Sequence, residues 1–401
     1  MTTSHSLPPA TCPFHEIRTL PTDGTPLHPS PTLAQWRDEG AATPLRYADG
    51  HDGLIVTRHD LARDVLADPR FSQLPQRFPH RSGEAHADEI DDRAVEALAA
   101  AGLLGLDAPQ HGRIRRAVTS RFSVRAARAK QEKVGEIVRA QLDALQKSGA
   151  PADLTEHFSI PIATLVHCDV LGVPEHLVEG FWDHFVSSST TQQKFDYLRE
   201  VIAARKADPG EDVVSDLLRS ELSATEVEGA LFVLMSSGRD SVAYIISTSM
   251  VALLTNPDQL DALREEPLLI STAIEEFMRV GAMFITLFPR TATEEIEIDG
   301  VAFHKGQTVS VSPVAANRDE RHFAEPESFD IRRDAFGHLG FGHGPHGCVG
   351  QQLARIEIRE AVTQLIEALP ELRLVHAEQM TPMPFAHDVA TYEAGSVIVA
   401  W

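Results

Sequence analysis

One thiol in this sequence is set among residues that a packed core would not require. Cys348 lies in Phe341-Gly342-His343-Gly344-Pro345-His346-Gly347-Cys348-Val349-Gly350, four glycines and two histidines around one sulfur, just ahead of the helical stretch Gln351-Gln352-Leu353-Ala354-Arg355. Glycines let the backbone approach a flat partner closely and take turns closed to other residues. Amide N–H groups in such a loop can point at the sulfur, and the N-terminus of the helix behind it favours an anion there. A thiolate metal ligand needs these conditions, whereas a cysteine packed as a small apolar residue does not. The other two cysteines, Cys12 and Cys168, stand apart without CxxC spacing. A disulfide framework and a cysteine-rich zinc site are therefore argued against, and a reducing compartment is expected.

Three further groups of residues could do chemistry. In "AIEEFMRVG", helical spacing puts Glu276 and Arg279 on one face, although such a pair alone reads equally as a surface ion pair. "HGRIRR" carries His111 and Arg115, and Arg290 precedes an alternating stretch. Ser237-Gly238-Arg239-Asp240-Ser241 places an acid beside an alcohol. A cap or loop reading of that run is weakened by the apolar helical pattern on both sides of it.

The elements that must hold these residues are mostly helices. "HDLARDVLAD", "HGRIRRAVTSRFS", "KQEKVGEIVRAQLDALQKSG" and "IPIATLVHCDVLGVP" repeat apolar residues at three- and four-residue spacing, several closed by Gly or Pro. Residues 225–257 read as the longest helix, apolar almost all round at its centre, as in a helix that runs through a core. "LRYADGHDGLIVTRHD" reads as a hairpin, and "TATEEIEIDGVAFHKGQTVSVSP" as a small hairpin sheet with two glycine turns. A long proline-bearing coil from Ala315 to Gly347 leads to Cys348, and a coil of that length argues for function. The fold class is mainly α: one domain over residues 1–401, a helical core with small β-sheets at its edge, and a flexible N-terminus over 1–16.

Asp and Glu number 58 against 36 Lys and Arg, a formal net charge of −22. That balance argues against nucleic acid and against an anionic membrane surface. The N-terminus has neither part of a signal peptide, and no window is long and apolar enough to cross a bilayer, so a cytoplasmic protein without membrane contact is expected.

The loop around Cys348 resembles the cysteine-ligand loop of the cytochrome P-450 haem-thiolate monooxygenases, Phe-Gly-x-Gly-x-His/Arg-x-Cys-x-Gly. The resemblance spans nearly the whole chain in order: His111-x-x-x-Arg115, the Ser237–Ser241 run, Glu276-x-x-Arg279, Arg290 before a hairpin, the coil "VAANRDERHFAEPESFD", and the loop. It implies haem b as cofactor with Cys348 as proximal iron ligand, dioxygen as co-substrate, and His111, Arg115, Arg290 and His346 around the haem propionates. The physical logic is that buried carboxylates need charged or hydrogen-bonding partners. Glu276 and Arg279 become a buried structural pair. Gly238 opens space for dioxygen, and Asp240 and Ser241 deliver protons. Ser241 stands where threonine is usual in the family, and serine can turn its hydroxyl to a carbonyl one turn back. Ser328 stands where Arg or His is frequent, which leaves the third member of the Glu276–Arg279 network open.

The resemblance further implies a pocket bounded by residues 74–106, 178–200 and 282–288, the centre of the long helix, and the turn near Pro384. Val233, Ser237, Phe284 and Ile285 are placed in it. Met283, Phe284, Ile285 and Leu287 suggest an apolar small-molecule substrate, and for each of them ordinary core packing is an equal reading. The basic run "HGRIRRAVTSRFSVRAARAK" suits a separate acidic ferredoxin with its ferredoxin reductase, with Arg113, Arg116 and Arg121 at the contact; a solvated helix face is the plainer reading. A monomer is expected. The reaction implied is hydroxylation or epoxidation in bacterial natural-product tailoring. The alternatives are oxidative ring coupling, or a non-catalytic haem sensor or carrier.

Overall fold

Apolar periodicity, caps and glycine stops set the helices of the computed structural model, which describes residues 17–74, 90–377, 389–393 and 395–401. Cys12, the N-terminal segment and the turn near Pro384 lie outside them, as do residues 75–89 of the first pocket segment. Helix α1 spans His59–Ala67, α2 Asp92–Ala101 and α3 Gln110–Thr119. The 25-residue α4, Val124–Ser148, starts at Ser123, whose side chain accepts from the Ala126 N–H, and stops at Gly149. Ile160–Leu171 forms α5, closed by Gly172 in a left-handed conformation. Thr191–Ala207 is α6, and Ala224–Ser236 is α7, opened by a capping box between Ser223 and Glu226. Arg239–Thr255 is α8, Ile270–Val280 α9 and Gln351–Ala368 α10.

The stretch expected as one long helix is two. The chain breaks at Ser237 and Gly238, where Gly238 takes φ +97° between α7 and α8. Apolar periodicity runs through the break, so it gives no warning of it; Ser237 in an extended conformation ends the first helix, and Gly238 at positive φ turns the chain into the second.

Strands β1 (Ala42–Arg46) and β2 (Asp52–Val56) form the expected antiparallel hairpin. With β3 (Phe71–Ser72), β4 (Arg290–Ala292) and β5 (Thr308–Val311) they make a five-stranded sheet in the order β1-β2-β5-β4-β3. Here the structure departs from the expected single hairpin sheet. Ile296–Ile298 and Val301–Phe303 do pair across Asp299-Gly300, but β5 leaves them to lie parallel to β2.

The main core gathers where α5, α8 and α10 meet, around Ile162, Val166, Ile246, Met250, Ile358 and Val362. A smaller core under the five-stranded sheet joins Leu54, Val56, Leu61, Val65, Phe303 and Leu339. The coil after Ala316 crosses the seam between them and ends at Cys348, so both cores fix the thiol loop. None of the helices is long and apolar enough to cross a membrane among the described residues.

Candidate active site

The loop before α10 is held from several sides. The Cys348 N–H donates to the Phe341 carbonyl at 2.8 Å. Gly344 has φ +70°, and a Cβ there would lie 2.5 Å from the Leu66 carbonyl oxygen, so only glycine lets the end of α1 pack on the loop. Cys348 is open on its cleft side and enclosed by protein on the others. Burial pushes its thiol up. The amide of Gly350 and the cations Arg115 and Arg355 oppose that and favour the thiolate. Cys168, by contrast, is fully packed in α5, and burial raises its thiol to about 12.

A rim of cations and imidazoles flanks the thiol. The His111 and His346 rings lie 3.9 Å apart between centroids, and an Arg115 Nη donates to the Gly347 carbonyl at 2.5 Å. Arg290, on β4, is 4% exposed and reaches only the Phe71 carbonyl, at 3.5 Å. Its Nε is buried without a partner, and desolvation lowers the guanidinium to about 10 against the pull of Asp107. Burial also lowers Arg115 and, with help from Arg115 and Arg290, keeps His111 neutral more readily. Among the described residues neither Arg115 nor Arg290 forms an ion pair. A rim with two uncompensated guanidiniums and an orphaned donor is built to receive anionic groups. Asp107 is a residue that sequence reasoning missed. Its carboxylate accepts from the Ser72 hydroxyl at 2.5 Å and the Gln73 amide at 2.9 Å, fixing β3 beside Arg290. Its place four residues before His111 was the only available signal.

The break between α7 and α8 carries the other group. Ser237 and Asp240 are exposed, and Ser241 is partly so. The Ser241 hydroxyl donates to the Gly238 carbonyl at 3.2 Å, and that of Ser237 to the Val233 carbonyl at 2.7 Å. Arg239, read from sequence as the middle of a helix, instead opens α8. There it pairs with Asp240 and donates to the Phe185 carbonyl at 3.1 Å. His167 of α5, also missed, closes the break from behind. Its Nε2 bonds the Leu234 carbonyl at 2.9 Å, which otherwise receives only the long 3.4 Å bond from the Ser237 N–H at the end of α7, and burial lowers its pKa to about 4. A Cβ on Gly238 would lie 3.1 Å from this imidazole.

Glu276 and Arg279 are fully buried and joined by two bonds of 2.7 and 2.8 Å. Arg279 also donates to the carbonyls of Asn317, Pro326 and Ser328. Ser328 thus contributes its backbone, and the third side chain is Arg333, whose Nε lies 3.3 Å from Glu276. A neighbouring cluster links α9, α10 and the coil. Arg355 grips Glu275 with bonds of 2.6 and 2.8 Å, and His338 Nε2 adds one of 3.0 Å. Burial raises the Glu275 carboxyl, but these partners outweigh it and bring it down to about 2.

The pocket residues divide. Phe284 and Val233 are half-buried, whereas Ile285 is 1% exposed in the main core. Strand alternation turns Ile285 to the side of the strand opposite Phe284. The basic run also divides. Arg113 pairs with Glu226, and Arg121 with Asp216 and Glu211, so neither is a free surface cation. Arg116, Arg125 and Arg128 stay exposed.

The family model for cytochrome P450 matches residues 173–391. Cytochrome P450 105C1 of a Streptomyces species is 34% identical over 386 residues, covering 93% of this chain and 95% of that protein. Cytochrome P450 monooxygenase PikC of Streptomyces venezuelae is 36% identical over 363 residues, covering 86% of this chain and 85% of that one. The solved structure of the mycinamicin VIII C21 methyl hydroxylase MycCI of Micromonospora griseorubida, bound to mycinamicin VIII, superposes with a TM-score of 0.82 at 27% identity, covering 96% and 100% of the two chains.

Proposed function

The chain belongs to the cytochrome P450 family and is a cytochrome P450 monooxygenase, and from that premise we propose that it inserts one atom of dioxygen into an apolar small molecule, by hydroxylation or epoxidation. The family implies a haem-thiolate cofactor, read here as haem b with Cys348 as the iron's ligand. The donor set suits it: a thiol open to the cleft, and a rim whose buried Arg290 Nε has no partner. Arg115, Arg290, His111 and His346 would hold the two propionates. Bound there, haem supplies dioxygen binding and reductive O–O cleavage, which thiolate donation favours.

The chain's own residues do the rest. Gly238, with no side chain in the two-residue break between α7 and α8, would leave room for dioxygen. Asp240 carries protons in from solvent, since its carboxylate is exposed at the mouth of the break. The Ser241 Oγ holds the last proton donor; its bond to the Gly238 carbonyl keeps the hydroxyl oxygen available as an acceptor. Val233 and Phe284 make the apolar wall that orients substrate and excludes water. Electrons come from an acidic ferredoxin with its reductase, received on the exposed Arg116, Arg125 and Arg128. Relatives that act in secondary-metabolite tailoring, the mycinamicin VIII hydroxylase among them, support a natural product as substrate.

The observation that carries this reading is the open thiol of Cys348 inside a donor-lined loop beside an uncompensated cationic rim. Its test is the carbon monoxide spectrum of the reduced protein, expected at the red-shifted Soret position of thiolate haem. Cys348→His should lose that position and Cys168→Ser keep it. A histidine-type spectrum in fresh parent protein would overturn the assignment. Oxygen uptake with reductant and a Soret-shifting ligand then separates a monooxygenase from a sensor, which would take up none.

A further inference from the structure

The cluster behind the thiol loop has a geometry that packing alone does not require. Arg355 donates from Nε and Nη2 to the two oxygens of Glu275, and from Nη1 to the backbone and side-chain oxygens of Gln351, both at 3.1 Å. Its guanidinium carbon sits 4.5 Å from the centroid of the Phe341 ring, within cation–π range. Phe341 is the residue whose carbonyl receives the Cys348 N–H. His338 completes the frame: its Nδ1 accepts from the Gly340 N–H at 3.0 Å, so Nε2 carries the proton donated to Glu275. The frame therefore holds one permanent cation at a fixed place beside the loop, with its anion held by two bonds from that cation and one from His338.

Arg355 touches the loop region directly, through the Phe341 ring and through Gln351 three residues beyond Cys348, whereas the Glu275 carboxylate bonds only Arg355 and His338 among the described residues. A cation close to the sulfur, with its counter-charge farther off, leaves a net positive potential there. Screening is weak in a half-buried site.

We infer that Arg355 is a positioning residue that sets the electron affinity of the iron centre through Phe341 and Cys348, with Glu275 and His338 as its anchors. The inference rests on the haem-thiolate reading. Reduction of haem iron from ferric to ferrous adds one electron, supplied in a titration by dithionite, and a nearby cation favours the electron-rich product. Removing Arg355 makes reduction harder. Removing the charge of Glu275 leaves Arg355 uncompensated and makes reduction easier. The two partners of one ion pair thus act in opposite directions.

The test is a spectroscopic redox titration of holoprotein carrying Arg355→Met, Arg355→Lys or Glu275→Gln, each checked first by its carbon monoxide spectrum. Arg355→Met should lower the ferrous-to-ferric ratio about tenfold at fixed potential, about 59 mV for one electron. Glu275→Gln should raise it, and Arg355→Lys, which keeps the charge but loses the fork and the ring contact, should fall between parent and Arg355→Met. If Arg355→Met does not load haem, the other two carry the same sign test. Potentials equal to the parent's, or shifts of one sign in both Glu275→Gln and the Arg355 variants, overturn the inference while the thiolate spectrum stands. A histidine-type spectrum in the parent would instead remove the reading beneath it.

Discussion

Two regions of the molecule are built on opposite plans. Behind the thiol loop, charged groups are locked: Glu276 alone receives Arg279, Arg333 and the Asp330 N–H, and Arg355 has a partner on every side-chain nitrogen. Between α7 and α8 the helix is interrupted, Asp240 is exposed, and the Ser241 hydroxyl is tied to one carbonyl by a single bond of 3.2 Å. Buried, fully partnered charge holds the elements behind the loop, and such a cluster is destabilised strongly when one member goes. The proton path proposed for Asp240 and Ser241 needs groups that can change partner, and both sit where the helix is broken. On this contrast, damage to the first region should cost the fold and damage to the second should cost only the chemistry.

The largest effect is expected at Glu276. Glu276→Gln removes the one carboxylate that Arg279 and Arg333 share among the described residues, for a cost of about 3–5 kcal/mol. Urea unfolding should show it, together with poor haem loading; a parent-like midpoint would break the contrast at its stronger end.

His167 anchors the break between α7 and α8 from the side of α5. Its folded pKa, about 4, lies below the ordinary histidine value, so the unfolded chain takes up the proton first as pH falls. The stabilising difference is present in full above the unfolded pKa of about 6.5 and is lost toward 4, about 2 kcal/mol between pH 7 and pH 5. His167→Gln should remove most of that slope from urea midpoints measured at the two pH values.

Ser241→Ala should leave folding and haem loading unchanged and raise the share of reductant lost as peroxide several-fold, read as product formed per nicotinamide consumed. Ser241→Thr should couple at least as well as the parent, because a β-branched hydroxyl has fewer rotamers. If the alanine variant couples like the parent, the relay runs through another group.

The smallest effect lies outside the contrast, on the outer surface. Reversing Arg116, Arg125 and Arg128 together should slow reduction by an acidic ferredoxin about tenfold at low salt and less at high salt. Reversing Arg113 should do less, because Glu226 already neutralises it.

The region with the stronger construction was also the more legible one. Cys348 and its glycines sit within ten residues, so spacing alone exposes the ligand loop, and the Glu276–Arg279 pair is local to one helical turn. Helix positions and the first hairpin were legible for the same reason. What sequence could not give was closure at a distance. Arg333 reaches Glu276 across 57 residues, and Arg113 reaches Glu226 across 113. The helix break is hidden because apolar spacing continues on both sides of Gly238, and the burial of Ile285 is hidden because alternation sets sides only once a strand is placed. His167 reads as one more helical residue because its partner, the Leu234 carbonyl, lies 67 residues away.

The parallel pairing of β2 with β5 has a consequence in time. Gly53 meets Thr308, its partner 255 residues later. At a synthesis rate of roughly 5–20 residues per second, the hairpin waits about 10–50 s on the ribosome before its partner strand exists. Arg290 and the Cys348 loop emerge close to β5 in the chain, so the proposed haem cradle also waits until the strand that completes the sheet has been made. Apolar β2 stays exposed until then, which makes this edge the place where a chaperone has most to protect.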